Sequence, residues 1–367
     1  MANKTFITGY PRIGENRELK KALEAFWAGK IPLDELKKTA QNLRKTHWLF
    51  QKYEGIDFIS ANDFSYYDSM LDTCIMLGAI PKRFQAIADK DEQYFAMARG
   101  NAASAAMAMM KWFNTNYHYI VPELDVSTEF KADSSKIISE YKEAAELGVE
   151  GKINIIGPVT FLGLSKTVDG GNPYDYFKKT LAAYEQVVKD IAKIAKPETI
   201  IQFDEPIFVK DPSKQQLDLL KETYTALTAA AGKTKILVTT YFEHSNEATE
   251  ILGKLPIWGI GLDFVYGSKN IEGLKFIGSK KLVCGIVDGR NIWINDVEKT
   301  LSLLGEIVKT IPAENIILST SCSLLHAPYS LQSENADGSI IKWLAFAKEK
   351  VKEVVSISKI FANPTSA

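Results

Sequence analysis

Short apolar runs recur along the chain: Thr5–Pro11, Phe58–Phe64, His118–Leu124, Ile153–Pro158, Thr199–Pro206, Ile236–Phe242, Gly259–Val265, Leu282–Val287 and Ile316–Cys322. Many end on a polar residue, Pro or Gly. Their length and β-branched content predict strands. Between most of them, apolar positions recur at the spacing of one helix face, as in Tyr174–Ile194 and Leu217–Ala231. Continuous apolar strands alternating with helices predict a parallel sheet covered on both faces, an α/β fold. The number of units predicts a closed (β/α)8 barrel of the TIM type. There is one run more than such a barrel needs, and His118–Leu124 is the one expected to lie outside it. Long helical insertions are expected after the first two strands, at Asn16–Gly55 and Ser65–Tyr117. Within the second, Ala102–Met110 reads as a tightly packed buried helix. Ile340–Phe361 reads as a last helical run before a polar tail, Ala362–Ala367. No Pro/Ser-rich linker or short repeat divides the chain, so residues 1–367 are expected to form one barrel domain.

Composition narrows the function classes. The chain has 367 residues, 46% apolar and 24% charged, with a formal net charge of -1. That supports one large core and gives no electrostatic case for nucleic acid or an anionic membrane. Cys74, Cys284 and Cys322 lie far apart with no CxxC pair, which argues for a reducing compartment. No run approaches a membrane span, and Met1–Tyr10 lacks the apolar core of a signal peptide. A cytoplasmic protein is expected.

Two clusters carry candidate chemistry. The first strand ends in Gly9-Tyr10-Pro11-Arg12-Ile13-Gly14, and a helix capped by Asn16 is expected to follow, burying Leu19, Ala22, Leu23 and Phe26. Arg17 and Lys20 are neighbours on its first turn, where free N–H groups and cations together suit an anion; the plainer reading is a solvated helix face. The second cluster, Lys111 to Tyr119, sets aromatic rings beside a lysine and two amides; read without further information, it is an aromatic helix end. At strand ends stand Asp204 and Glu205, with Asp63, Asp263, Asp288 and Arg290 at similar rim positions. Such carboxylates suit acid–base work or loop organisation. Cys322 and His326 are four apart, but two ligands do not make a zinc site. The histidines show no HxH or HExxH spacing, and no GxGxxG, Walker A or GxSxG motif is present.

The residues Gly9–Gly14 with Arg17–Lys21, Asn62–Asp68, Lys111–Tyr119, Gln202–Pro206 and Thr239–Phe242 resemble the N-terminal half of cobalamin-independent methionine synthase, over essentially the whole chain. That family moves a methyl group from methyltetrahydrofolate polyglutamate to homocysteine and uses two barrels. Its C-terminal barrel carries zinc, which makes the homocysteine thiol a nucleophile. The resemblance implies that this N-terminal barrel packs on the catalytic one and contacts the polyglutamate tail. By motif match those contacts fall on Arg17, Glu18, Leu19, Lys20, Lys111 and Asn116. Zinc is implied for the full-length enzyme and not for this chain. Thr239–Phe242 stands where the family has its His-x-Cys ligands, Asp263 stands in place of a ligand Glu, and only Cys322 matches a thiolate ligand. The chain alone is therefore expected to be inactive. The alternative is a stand-alone barrel enzyme using Asp204 and Glu205.

Overall fold

The computed structural model describes residues 3–334 and 338–362. Eight parallel strands form its centre: β1 (Lys4–Phe6), β2 (Ser60–Ala61), β3 (Lys152–Ile156), β4 (Ile200–Asp204), β5 (Lys235–Thr239), β6 (Gly259–Asp263), β7 (Lys281–Val287) and β8 (Ile316–Thr320). Each pairs in parallel with its sequence neighbour, and β1 pairs with β8. The last gap is closed by a parallel bridge between Phe6 and Phe58, where the Phe58 amide donates to the Thr5 carbonyl at 3.0 Å. The expected barrel is there, and His118–Leu124 lies outside it.

Alternate strand residues divide between two apolar environments. Ile153, Ile155, Ile201, Phe203, Val238, Leu262 and Leu318 belong to the large core between sheet and helices. Phe6, Ile200, Leu237, Val283 and Ile317 form a separate cluster, as expected if they fill the inside of the barrel at its N-terminal end. Polar groups stand above that layer. Lys152 Nζ lies 4.3 Å from the centre of the Phe6 ring and donates to Ser60 Oγ, Asn154 Oδ1 and Gln202 Oε1 at 2.6, 2.8 and 2.6 Å.

The insertions hold α1 (Glu18–Trp27), α2 (Leu33–Glu54), α3 (Ser69–Leu77) and α4 (Lys90–Arg99). Helices α1 and α2 share a small core of their own with Phe64 and Phe95. Then follow α5 (Ser135–Glu146), α6 (Pro158–Gly163), α7 (Phe177–Ile194) and α8 (Lys214–Ala230). Helix α8 begins with a complete capping box of Ser213 and Gln216.

Four local expectations are corrected. Ala102–Met110 is not a buried helix: α4 stops at Gly100, whose φ of +75° ends the helical path, and only Met107 of that stretch is buried. Lys111–Tyr119 is not a helix end either. Met109–Lys111 pairs antiparallel with His118–Ile120, so the cluster is a β-hairpin. Asn16 does not cap α1; Arg17 takes that position at φ 60°, and no side chain bonds to the helix start. The run Ile340–Phe361 is interrupted, with a short helix Gly338–Ile341 followed by Ala347–Ala362. Apart from Ala362, the polar tail lies outside the described residues.

Candidate functional site

The C-terminal ends of β1 and β2 are tied together by polar contacts. The Tyr10 amide donates to Asp63 Oδ2 at 2.8 Å, and Arg12 Nη1 donates to the carbonyls of Ser65 and Tyr66 at 3.1 and 2.9 Å. Beside this seam opens a cavity of about 340 Å³. Asp63, Asn154, Asp204 and Tyr241 border its inner part at the barrel mouth, and Asp72, Lys136 and Glu140 border it further out.

The inner part is buried and acidic. Asp204 accepts from Gln202 Nε2 and Thr239 Oγ1, both at 2.6 Å, and burial pushes its carboxyl upward. Burial likewise raises Asp63 to about 6 and lowers the Lys152 ammonium to about 7. The outer part is a network of charges: Lys136 reaches Glu140 at 3.1 Å and Asp72 at 3.4 Å, and Arg44 reaches Glu143 at 2.6 Å.

A second cavity of about 330 Å³ lies at the start of α1, bordered by Arg12, Arg17, Tyr117, Tyr329 and Ser330. Tyr117 borders both cavities. The hairpin that carries it reaches loops at the barrel mouth. Phe113 lies 5.5 Å from Phe242, Tyr117 lies 6.1 Å from His326, and Arg290 Nη2 donates to the Asn114 carbonyl at 3.2 Å.

The residues singled out by sequence fall in different places. Arg17 borders the second cavity. The Glu18 carboxylate folds back onto the Asn16 amide at 3.0 Å, close over Gly14, where a Cβ has no room. Leu19 is fully buried in the α1–α2 core, so its side chain serves packing. Lys20 is exposed on α1, 3.8 Å from Glu24. Lys111 and Asn116 are exposed on the hairpin, where the Asn116 carbonyl meets His118 Nδ1 at 3.0 Å. Of these six, Arg17 alone borders either of the two cavities described.

The rim acids also separate. Glu205 is fully buried and accepts from the Val159 and Thr160 amides at 3.2 and 2.7 Å and from Tyr224 Oη at 2.9 Å. It thereby holds the start of α6 and borders neither cavity. Asp263 accepts from the amides of Phe242, Val265 and Tyr266 at 3.0, 2.8 and 2.9 Å, so both its oxygens organise loops. Asp288 takes Tyr266 Oη at 3.0 Å and the Arg290 and Asn291 amides at 2.7 and 3.1 Å. Cys322 and His326 border no shared donor set, and no group of three metal-binding side chains occurs among the described residues. Sequence reasoning missed Arg12 and Lys152. Arg12 stood inside the quoted Gly9–Gly14 motif. Lys152 gave no signal, since a lysine before an apolar run reads as a strand boundary.

The comparisons with known proteins agree with one another. The family described as "Cobalamin-independent synthase, N-terminal domain" matches residues 4–312. A 5-methyltetrahydropteroyltriglutamate–homocysteine methyltransferase from Desulforamulus reducens is 52% identical over 359 residues, which is 97% of this chain and 47% of that protein. The protein of that name from Streptomyces coelicolor is 42% identical over 377 residues, 100% of this chain and 48% of its own length. The chain thus spans about half the length of these curated relatives. In fold it is similar to a B12-independent methionine synthase structure from Shewanella, with a TM-score of 0.66, 16% identity and 91% of each chain covered. A structure described as a putative B12-independent methionine synthase from Listeria monocytogenes gives a TM-score of 0.64 at 14% identity, with 98% of each chain covered.

Proposed function

This chain belongs to the family of cobalamin-independent synthase N-terminal domains, and from that premise we propose that it is the supporting barrel of a methionine-forming methyltransferase, binding the polyglutamate tail of 5-methyltetrahydrofolate. The observation that carries this reading is the second cavity. Arg12 and Arg17 both border it at the start of a ten-residue helix, and neither forms an ion pair among the described residues. Glu15, which borders it too, is engaged by Lys348 at 3.4 Å. Two guanidinium groups with no carboxylate against them, Arg12 bonded through Nη1 to the Ser65 and Tyr66 carbonyls, suit the successive carboxylates of a glutamate tail, to which arginine bonds in bidentate fashion. Lys20, Lys111 and Asn116 lie exposed on the same helix and hairpin, and the reading assigns them to the part of the tail beyond the cavity.

Methyl transfer itself is assigned to a separate catalytic barrel. A zinc ion that activates a thiol takes three protein ligands. At the strand ends here, Asp263 has both oxygens committed to backbone amides, and Cys322 is a lone buried thiol. That donor set does not fit zinc, and we derive no step through it. Docking of a second barrel has apolar support: Trp293, Ile294 and Trp343 are exposed, with Trp293 bridged to Leu344.

The test is a binding comparison by calorimetry on the full chain. The triglutamate form of 5-methyltetrahydrofolate is expected to bind at least about tenfold more tightly than the monoglutamate, a gap of ~1.4 kcal/mol. The gap should shrink with added salt. Equal affinities for the two forms would place the tail elsewhere.

A further inference from the structure

Asp68, at the end of the loop after β2, is 1% exposed and caps α3. Its Oδ1 accepts from the Met70 amide and its Oδ2 from the Leu71 amide, both at 3.0 Å. Capping explains those two bonds but not a third. Oδ2 also accepts, at 2.9 Å, from the amide of Ile120, which lies 52 residues further along on the second strand of the hairpin. A serine or asparagine would cap the helix about as well without placing a charge in the core. Burial raises the Asp68 carboxyl to about 7, Asp72 adds to the rise, and the three amides work against it. Lys136, the cation of this region, goes to Asp72 and Glu140 instead. A costly carboxylate where a neutral cap would serve points to the bond that reaches the hairpin.

That hairpin carries Lys111, Asn116 and Tyr117. Ile120 stands opposite Met109 at its base, on the ladder that joins Lys111 to His118. The Tyr117 phenol meets the Ser69 amide, next in the chain to Asp68, and feels the Arg12 guanidinium. The start of α3 therefore meets the hairpin twice, through Asp68 at the base and through Ser69 at Tyr117. At the tip, Arg290 donates to the Asn114 carbonyl and Phe113 packs on Phe242. The other side-chain bonds at the base come from neutral phenols: Tyr119 Oη donates to the Leu164 carbonyl at 3.1 Å, and Tyr67 Oη to Met109 Sδ at 3.6 Å. A hydrogen bond to an ionised acceptor is roughly twice as strong as a neutral one, so Asp68 is the firmest polar hold on the base.

We propose that Asp68 is a positioning residue of the tail site, fixing the base of the hairpin so that Tyr117 keeps its place in the wall of the second cavity. The inference rests on the tail reading above. Asp68 borders neither cavity and touches no ligand; it acts through the Ile120 amide and the strand that joins Ile120 to Tyr117.

Asp68→Asn and Asp68→Ser separate capping from positioning. Both replacements cap a helix start, but serine is too short to reach Ile120 as well, whereas asparagine keeps an oxygen for it. The full chain and both variants are compared by calorimetry with the triglutamate and monoglutamate forms of 5-methyltetrahydrofolate, by thermal melting, and by hydrogen exchange at the Ile120 amide. Asp68→Ser is expected to weaken the triglutamate by about tenfold and Asp68→Asn by about threefold, with the monoglutamate unchanged and the two variants melting alike. Exchange at Ile120 should quicken in the same order, while the Met70 and Leu71 amides stay protected. Three results would overturn the proposal: triglutamate affinity untouched by Asp68→Ser, equal losses for the two folate forms, or losses that follow melting temperature and not exchange at Ile120. Equal binding of both forms by the unaltered chain would instead sink the tail reading itself, and the assignment of Asp68 with it. If Asp68→Ser does not fold, Asp68→Asn decides by the same measurements.

Discussion

Lys152 Nζ on β3 donates to Gln202 Oε1 on the neighbouring strand β4 at 2.6 Å, inside a barrel that leaves the lysine 1% exposed. Burial lowers its ammonium to about 7 from an ordinary value of 10.5. The sign of the resulting pH dependence follows from proton counting. Between pH 7 and 10.5 the unfolded chain holds a proton at this site that the folded chain releases, so the folded state gains as pH rises. The contribution is fully present above pH 10.5 and is lost as pH falls toward 7.

The variant Lys152→Met removes that linkage. Urea unfolding at pH 7, 8 and 9 is expected to show the stability of the native chain, relative to the variant, growing with pH. A constant difference across the series would mean that the amine is not held neutral.

Glu205 bonds to two backbone amides and to Tyr224, and burial raises its carboxyl to about 7. Replacement by Gln turns one acceptor into a donor facing N–H or O–H groups. Glu205→Gln is expected to cost about 1–3 kcal/mol in chemical denaturation at neutral pH, the range for orphaned buried partners. Loss below ~0.5 kcal/mol would contradict the role of Glu205 in holding α6.

Leu19 lies in the motif associated with the tail, yet its side chain is fully buried against α2. Leu19→Ala should cost about 2–5 kcal/mol through the cavity it leaves. In the folded fraction, affinity for the folate triglutamate should stay unchanged. A variant of native stability with weakened binding would make the side chain a ligand contact.

Arg17→Ala, Lys20→Ala and Lys111→Ala should each weaken the triglutamate form, Arg17 most, because it alone of the three borders the cavity. A charge-assisted contact supplies about 1.5–3 kcal/mol, less when exposed as the two lysines are. Titration of each variant with both folate forms checks this, and the monoglutamate should be indifferent to all three.

Zinc content offers a further check on the division of labour. After dialysis against zinc, the chain should retain far less than one equivalent by metal analysis, and Cys322→Ser should change nothing. Stoichiometric zinc lost with the thiol would restore the barrel as a metal site.

Much of the fold was legible in the sequence because its signals are local. A strand covered on both faces reads as a continuous apolar run, as Leu282–Val287 does, or as one broken by few polar residues, as Ile200–Asp204 is by Gln202 and Asp204, and both are buried throughout. The failures have a common cause. Ala102–Met110 has the composition of a helix, but strand pairing between Met109–Lys111 and His118–Ile120 overrides that preference. Arg17 was legible as a candidate cation, whereas Arg12 emerged as its neighbour only when the loops after β1 and β2 came together.

By itself the sequence determined the barrel and the family, since periodicity and motif both persist along the chain without knowledge of what touches what. Which charges face open space was decided by tertiary structure alone. Asp204 and Glu205 are adjacent, with the same chemistry, and nothing in their order distinguishes them. At the end of β4 the pleat sends them to opposite faces. Asp204 turns into the barrel mouth and borders the cavity, while Glu205 turns outward to Tyr224 and the start of α6.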